Sequence, residues 1–401
     1  MLLYWIWLAE LKNLSLMQKH RLLEQLGDPE SLYHAPDSAL QSHGFAPIKE
    51  KNLQDAQKIL KVCKNKGIGI LPVTDRAYPA RLRNTTDAPL VLYYKGTLPE
   101  WDSVPFIGVV GTRKASAYGL QVAHQMGSQI ASSGAWVVSG AASGGDTAAM
   151  QGALQAGYPV VGVLGCGVDV VYPRSNRRLF EAVVDRGCLI SEYPPGAEGL
   201  PWHFPARNRI ISGVSNGVLV VEAPKKSGAL ITARHALEQG RDVFVVPGNI
   251  NTLTCEGSNL LLQEGATPAF TGWDVVSPYE FLYPGKLKKH KPALLYTGER
   301  PVEKVAQPVV TPAGNLEEKE STGKKSIDNG LISTYSVLEN EHPALSDDEQ
   351  AVFALLTHQP QEPAELIAKL NWPAGKVLSA LTMLTVKGLT RKHPGGRVSL
   401  K

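Results

Sequence analysis

The chain predicts an α/β protein organised around a mainly parallel sheet that binds phosphate, and three observations carry that expectation. Six nearly continuous apolar runs stand at Phe106 to Val110, Trp136 to Ser139, Val160 to Leu164, Leu189 to Glu192, Val218 to Val221 and Val243 to Val246. Runs of this kind belong to strands buried on both faces. Helical stretches separate them, as parallel strands require, so helices should cover both faces of the sheet. The loops after the strands combine glycine with a base or a hydroxyl, the composition that lets a backbone and a helix amino terminus approach an anion.

Ahead of the sheet, MLLYWIWLAELK has no basic leader and no small-residue cleavage site, and Glu10 and Lys12 end its apolar run before it could span a bilayer. It reads as the opening of a small helical domain over residues 1–70. Leu11, Leu14, Leu16, Leu22, Leu23 and Leu26 continue at roughly helical spacing up to Gly27-Asp28-Pro29. The sheet domain is expected over 71–283.

Four loops of that domain fit an anion site. They are Gly111-Thr112-Arg113-Lys114 after the first strand, Ser139 to Asp146 after the second, Phe204 to Arg209 after the fourth, and Lys225 to Ala233 after the fifth. From Pro105 to Tyr283 there are 12 Lys plus Arg against 13 Asp plus Glu, yet Arg113, Lys114, Arg207, Arg209, Lys225 and Lys226 supply six of those bases. A nearly neutral domain therefore gathers positive charge on one rim, which suits a phosphate or polyanion.

Several enzyme classes lack their signatures. There is no G-x-G-x-x-G after the first strand, no G-x-x-x-x-G-K-[ST], no G-x-S-x-G elbow and no H-E-x-x-H pair. No residue stands out as catalytic. Cys166 lies between two glycines without a His or Asp motif and reads as a small buried filler; His203 and His235 lack metal-ligand company and read as packing or surface residues. Cys63, Cys166, Cys188 and Cys255 show no C-x-x-C spacing, as expected of reduced thiols in a cytoplasmic protein. At 401 residues, 43% hydrophobic and net +4, the chain has room for several domains, and its mild basicity permits nucleic-acid binding without demanding it.

Residues 284–343 are rich in Lys, Glu, Pro, Gly, Ser and Thr without a sustained apolar period, the composition of a flexible linker, opening with the basic run Lys286 to Lys291. Residues 344–401 resume helical spacing. Ser346 and Glu349 form a capping box before Val352, Phe353, Leu355 and Leu356; Leu366, Ile367 and Leu370 follow, then Val377, Leu378, Leu381 and Leu384. Three short helices and the hairpin LTRKHPGGRVSL read as a winged helix. Its third helix offers Lys376 and Lys387, and its wing Arg391, Lys392, His393 and Arg397, which leaves groove reading and protein docking both open.

The runs VVGTRKASAYG, VVSGAASGGDTAAMQGAL, VLGCGVDVVYP, LISEYPPG, FPARNRIISG, VLVVEAPKKSGALITARHALEQGRDVFVVPG and GSNLLLQEGA follow in the order seen in the DNA-processing protein A family, DprA or Smf, which this chain resembles across the whole sheet domain. AYPARL and APLVLYYKG also resemble the family's lead-in to the sheet. The resemblance implies an extended Rossmann-like fold with a SAM-like or helix-hairpin-helix module before it. It further implies a cytoplasmic protein that binds single-stranded DNA, forms a homodimer and loads the RecA recombinase onto incoming strands during natural transformation, without membrane insertion or cofactor.

Residue by residue, Arg113 matches the family's G-[ST]-R arginine of the DNA phosphate pocket, with Gly111 and Thr112 shaping the turn. Arg207, Asn208 and Arg209 match F-P-x-R-N-R, whose guanidinium groups suit phosphate oxygens and can stack on unpaired bases. Lys226, Ser227, Gly228 and Thr232 match K-S-G-[SA]-L-I-T, expected to surround a phosphate with N–H groups, a hydroxyl and an ammonium; helix capping is an equal alternative for Ser227 and Thr232. One loop departs: Ser143 and Met150 replace the family's arginine and histidine, so a weaker or rearranged contact is expected there. Asp146 matches, and as a carboxylate beside a polyanion it is expected to hold the glycine turn or cap a helix.

The resulting expectation is a non-enzymatic single-strand binder. Its rivals are a nucleotide-binding or nucleoside-monophosphate-hydrolysing Rossmann-like enzyme, which would use P-G-G-x-G-T-x-x-E where this chain reads KSGALITAR, and a winged-helix regulator.

Overall fold

The computed structural model describes residues 1–48, 51–289 and 345–400, apart from 358, 360, 371, 388 and 393–396. The chain divides into two compact units, Met1–Glu303 and Lys304–Lys401.

The first unit opens with α1 (Leu2–Glu10), α2 (Leu16–Leu26), α3 (Pro29–His34), α4 (Asp37–Ser42) and α5 (Gln54–Lys66). The leucines at roughly helical spacing up to residue 26 are split by a break, α1 ending at Glu10 and α2 starting at Leu16. Ser15 accepts from the Gln18 amide at 3.3 Å while its own amide donates to Gln18 Oε1 at 2.8 Å, a capping box that starts α2 afresh.

The sheet begins with an antiparallel pair, β1 (Gly69–Pro72) and β2 (Val91–Gly96), with the short α6 (Ala80–Arg83) between them. The expected domain boundary at 70 therefore falls inside a strand. Then come β3 (Phe106–Val110), α7 (Ala117–Ser132), β4 (Trp136–Ser139), α8 (Gly145–Gln155), β5 (Val160–Leu164), α9 (Arg177–Arg186), β6 (Cys188–Ser191), α10 (His203–Val214), β7 (Gly217–Val220), α11 (Gly228–Glu238), β8 (Asp242–Val245), α12 (Glu256–Gln263), β9 (Thr267–Pro268) and α13 (Gly272–Val276). The six predicted runs are β3 to β8 within a residue. Among the described residues they join β1, β2 and β9 in one nine-stranded sheet of order β1-β2-β6-β5-β4-β3-β7-β8-β9, parallel from β6 through β9. This is the extended Rossmann-like architecture. The strand order reverses direction at β3 and β7, the position where an open α/β sheet leaves a crevice at its carboxyl edge.

Helices α7 and α8 pack so closely that a Cβ on Gly152 would lie 1.9 Å from the His124 carbonyl oxygen, and one on Gly127 2.0 Å from that of Ala149. Met150 is fully buried in the same layer. Its replacement of a histidine therefore concerns packing rather than the rim. Beyond α13, Tyr283 and Leu287 are buried and the Lys288 amide donates to Ser133 O at 3.0 Å. Residues 284–289, expected to open a linker, are thus folded against the carboxyl end of α7, at the sheet end opposite the glycine loops. Lys286, Lys288 and Lys289 stand away from those loops; the rest of 284–343, including His290 and Lys291, lies outside the described residues.

The second unit contains α14 (Asp347–Phe353), α15 (Pro363–Leu370), α16 (Ala374–Val386) and the antiparallel pair β10 (Thr390–Lys392) and β11 (Val398–Leu400). Val352, Leu356, Leu366, Val377, Leu381, Leu384 and Val398 form its core. The expected capping box is present: Ser346 Oγ accepts from the Glu349 amide and Glu349 Oε2 from the Ser346 amide. Lys376 of α16 pairs with Asp348 at 2.9 Å and lies 4.2 Å above the Trp372 ring, and Lys387, which caps the carboxyl end of α16, pairs with Glu349 at 2.5 Å. Both lysines of the third helix are engaged within the unit. Arg391 and Lys392 stand in β10 and Arg397 just before β11, whereas His393 lies outside the described residues.

Candidate nucleic-acid interface

A cavity of about 660 Å³ opens at the carboxyl edge of β3 and β7. Gly111 to Lys114 from the β3 loop, Ala142 and Asp146 from the β4 loop, Phe204, Pro205, Arg207 and Asn208 from α10, and Lys226 to Ala229 with Thr232 from the β7 loop and α11 all line it. Nine of the ten expected site residues thus meet in one place. Phe204 to Arg209 occupy the first turns of α10 rather than a loop.

Two kinds of cation are present. Arg113, Lys114 and Lys226 are exposed and have no ion pair among the described residues. The Arg113 guanidinium lies over the Phe204 ring, 5.1 Å from its centroid, a cation–π contact that leaves its charge available at the mouth. Arg207 is different: it is 3% exposed, and its Nη1 donates to Gly140 O at 2.7 Å and to Val163 O. Its guanidinium bridges the ends of β4 and β5. Burial lowers its pKa to about 10, with Asp146 opposing the shift, so it stays protonated near neutrality.

Asp146 is buried and accepts from the amides of Gly111 at 3.2 Å and Gly140 at 3.1 Å. Burial pushes its carboxyl above the ordinary range, against Arg207 and the backbone amides. The expectation that it holds the glycine turn is met. The turn also depends on close approach: a Cβ on Gly145 would lie 2.9 Å from Gly111 Cα. In the same loop Ala141 adopts φ +50°, and Asn176 Nδ2 donates to its carbonyl at 3.0 Å.

Ser227 caps α11, accepting from the Ala229 amide at 3.2 Å, so capping and cavity lining coexist. Thr232 does not cap; it is buried and its hydroxyl donates back to Gly228 O at 3.4 Å. Asn208 ties the two helices together, donating to Gly228 O at 3.1 Å and accepting from Arg207 Nε at 3.2 Å.

Arg209 is the exception. It does not line the cavity. Its guanidinium makes a two-armed contact with Glu192, 2.9 and 2.7 Å, and reaches Asp87 at 3.1 Å. Burial works against the charge, but Glu192 and Asp87 hold its pKa above the ordinary arginine value. One turn of α10 thus points Arg207 toward the β4 and β5 ends and Arg209 toward an ion pair with the β6 end.

Three contributions were not visible in the sequence reading. Glu222, 2% exposed, accepts from the Ser116 amide at 2.9 Å and its hydroxyl at 2.6 Å, and its carbonyl accepts from the Thr112 amide at 2.7 Å. It locks the Arg113 loop to β7. Tyr172 adds a second ring to the wall, its centroid 5.0 Å from that of Phe204. Arg174, Arg177 and Arg178 are exposed just beyond Tyr172, without ion pairs among the described residues. The signal was three arginines within five residues of a strand-end loop. Cys166, by contrast, is a buried thiol whose pKa burial pushes up to about 11; His203 stacks on Tyr193 and His235 faces Glu238, the packing and surface roles expected. Among the described residues there is no group of three or more side chains suited to hold a metal.

Residues 69–280 match the DNA recombination-mediator protein A family and residues 339–396 the DprA winged helix domain. The chain belongs to the DNA recombination-mediator protein A family. The DNA processing protein DprA of Bacillus subtilis is 40% identical over 218 residues, covering 54% of this chain and 73% of that protein. Protein Smf of Synechocystis is 30% identical over 407 residues, covering 98% and 97%. An X-ray structure of DNA processing protein A from Streptococcus pneumoniae superposes with a TM-score of 0.59 at 34% identity, covering 69% of this chain and 98% of that one. The family resemblance read from the motifs is thereby established, and with it the Rossmann-like and winged-helix assignments.

Proposed function

We propose that the chain is a cytoplasmic recombination mediator that grips single-stranded DNA in the β3–β7 cavity, acts as a homodimer and loads RecA onto the strand, without catalysing a reaction. The observation that carries the DNA reading is the composition of the cavity wall. Arg113, Lys114 and Lys226 bring free positive charge, and Tyr172 and Phe204 bring apolar rings. Phosphates answer the first and unpaired bases the second, a combination that a paired duplex cannot satisfy with its bases stacked inside. Homodimer formation and RecA loading rest on the family resemblance. No helix among the described residues is long and apolar enough to cross a membrane.

The hydrolase alternative needs a carboxylate free to act. Among the described lining residues the sole carboxylate is Asp146, whose oxygens are already committed to the Gly111 and Gly140 amides. Incubation with nucleoside monophosphates should release no base.

Phosphate gripping predicts that Arg113→Ala and Lys226→Ala weaken binding by similar factors on poly-dT and mixed-sequence strands. Each should also reduce the slope of log affinity against log salt by about 0.7, the value for one single-strand phosphate contact. A loss confined to one base composition would contradict the reading. For the RecA role, RecA filament nucleation on a single strand should accelerate when the protein is added and fail to do so with Arg113→Ala.

A further inference from the structure

We propose that Trp202 is a stacking platform for one unpaired nucleobase lying just outside the cavity, so that the site reads a base as well as phosphates. The inference rests on the DNA-binding reading above. Trp202 precedes α10, between Pro201 and Phe204, both of which line the cavity. Its side chain is 66% exposed, a large apolar area to leave in water beside a charged site.

The indole does not hang free. It stands edge-on to the His203 ring at 6.0 Å and 85° between planes. His203 is itself stacked on Tyr193 at 3.9 Å and 19°, with Nδ1 at 3.2 Å from Gly165 O. A ring held beside its neighbour while two-thirds exposed leaves surface open to a base and has less freedom to lose on binding, which favours base stacking.

The other rings near the cavity are arranged differently. Phe204 has the Arg113 guanidinium over its ring and Tyr172 beside it, so a base meeting it shares the ring with both. Trp202 is the most exposed aromatic side chain beside the cavity. The exposed Arg174, Arg177 and Arg178 beyond Tyr172 favour a polyanionic occupant over an apolar peptide.

The test uses the full chain and two strands of equal length, oligo-dT and an abasic oligonucleotide with the same phosphates. Trp202→Ala should weaken oligo-dT binding by about 5- to 150-fold, the range for loss of one stacked base. Trp202→Tyr should restore most of it, and on the abasic strand wild type and Trp202→Ala should bind alike. Circular dichroism checks that the variants fold. An equal loss on both strands, or no loss on oligo-dT while Arg113→Ala abolishes binding, overturns the platform and leaves the cavity reading standing. Wild-type binding by Arg113→Ala would instead remove the cavity reading and the platform with it.

Discussion

Arg209 is a motif residue that stands outside the cavity in an ion pair with Glu192 and Asp87, and a ligand role and a structural role for it predict opposite phenotypes. Its guanidinium is about nine-tenths buried, 10% exposed, and its principal partner Glu192 is 19% exposed. Arg209→Ala would strand the Glu192 carboxylate in a poorly solvated place with no counter-charge. Breaking a buried pair from one side costs about 3–5 kcal/mol. The Asp87 arm, on a carboxylate 43% exposed, adds less than about 1 kcal/mol. The urea midpoint of Arg209→Ala should therefore fall by the equivalent of roughly 3–5 kcal/mol. In a Glu192→Met background, Arg209→Met should cost far less, because no charge remains unpaired. Single-strand affinity of the folded variant should stay within about threefold of wild type, a difference under 1 kcal/mol. An unchanged urea midpoint together with lost DNA affinity would refute this reasoning and return Arg209 to the phosphate site.

Gly152→Ala should destabilise the sheet unit by about 3 kcal/mol or more, since its Cβ would meet the His124 carbonyl at 1.9 Å and backbone cannot rotate away. Gly375→Ala, in a helix with nothing within 4 Å, should instead stabilise the second unit by about 0.5–1 kcal/mol. Thermal melts of both variants check the contrast. Lys19 is buried with Nζ at 2.6 Å from Ala9 O, and burial lowers its pKa to about 8. Between that value and the ordinary 10.5 the unfolded chain binds more protons, so stability rises with pH across that window. The shift corresponds to about 3 kcal/mol. Solvent screening reduces that to about 1–2 kcal/mol. Wild type should gain this amount over Lys19→Met between pH 8 and 10.5 in denaturant titrations, and parallel pH profiles would contradict it.

Much of the fold was legible because β3 to β8 are buried almost throughout, which forces apolar runs with charge confined to an end, as at Asp242 of β8. The edges were not legible in the same way. β1, Gly69-Ile70-Leu71-Pro72, is only half-buried apart from Leu71 and is bounded by glycine and proline, and β9 is two exposed residues, so neither shows a continuous buried run. At the site, glycine-rich loops announced the Arg113 and Lys226 segments, because backbone geometry leaves a local signature. The roles of Arg207 and Arg209 depend on partners distant in the chain, Gly140 and Val163 for one and Glu192 and Asp87 for the other, and no local pattern distinguishes a phosphate fork from a buried strut. Glu222 escaped notice for the same reason: its bond to Ser116 spans 106 positions. Ser143 is exposed on the rim whereas Met150 is interior, so the two replacements in one motif concern different physics.

The claim that the β3–β7 cavity selects unpaired strands is tested most directly by fluorescence anisotropy of the full chain with labelled single-stranded and duplex oligonucleotides across a salt series, repeated with Arg113→Ala. The account predicts tighter binding to the single strand, weakening steeply with salt and largely lost in the variant. Equal or duplex-favoured binding, unchanged by Arg113→Ala, would contradict it.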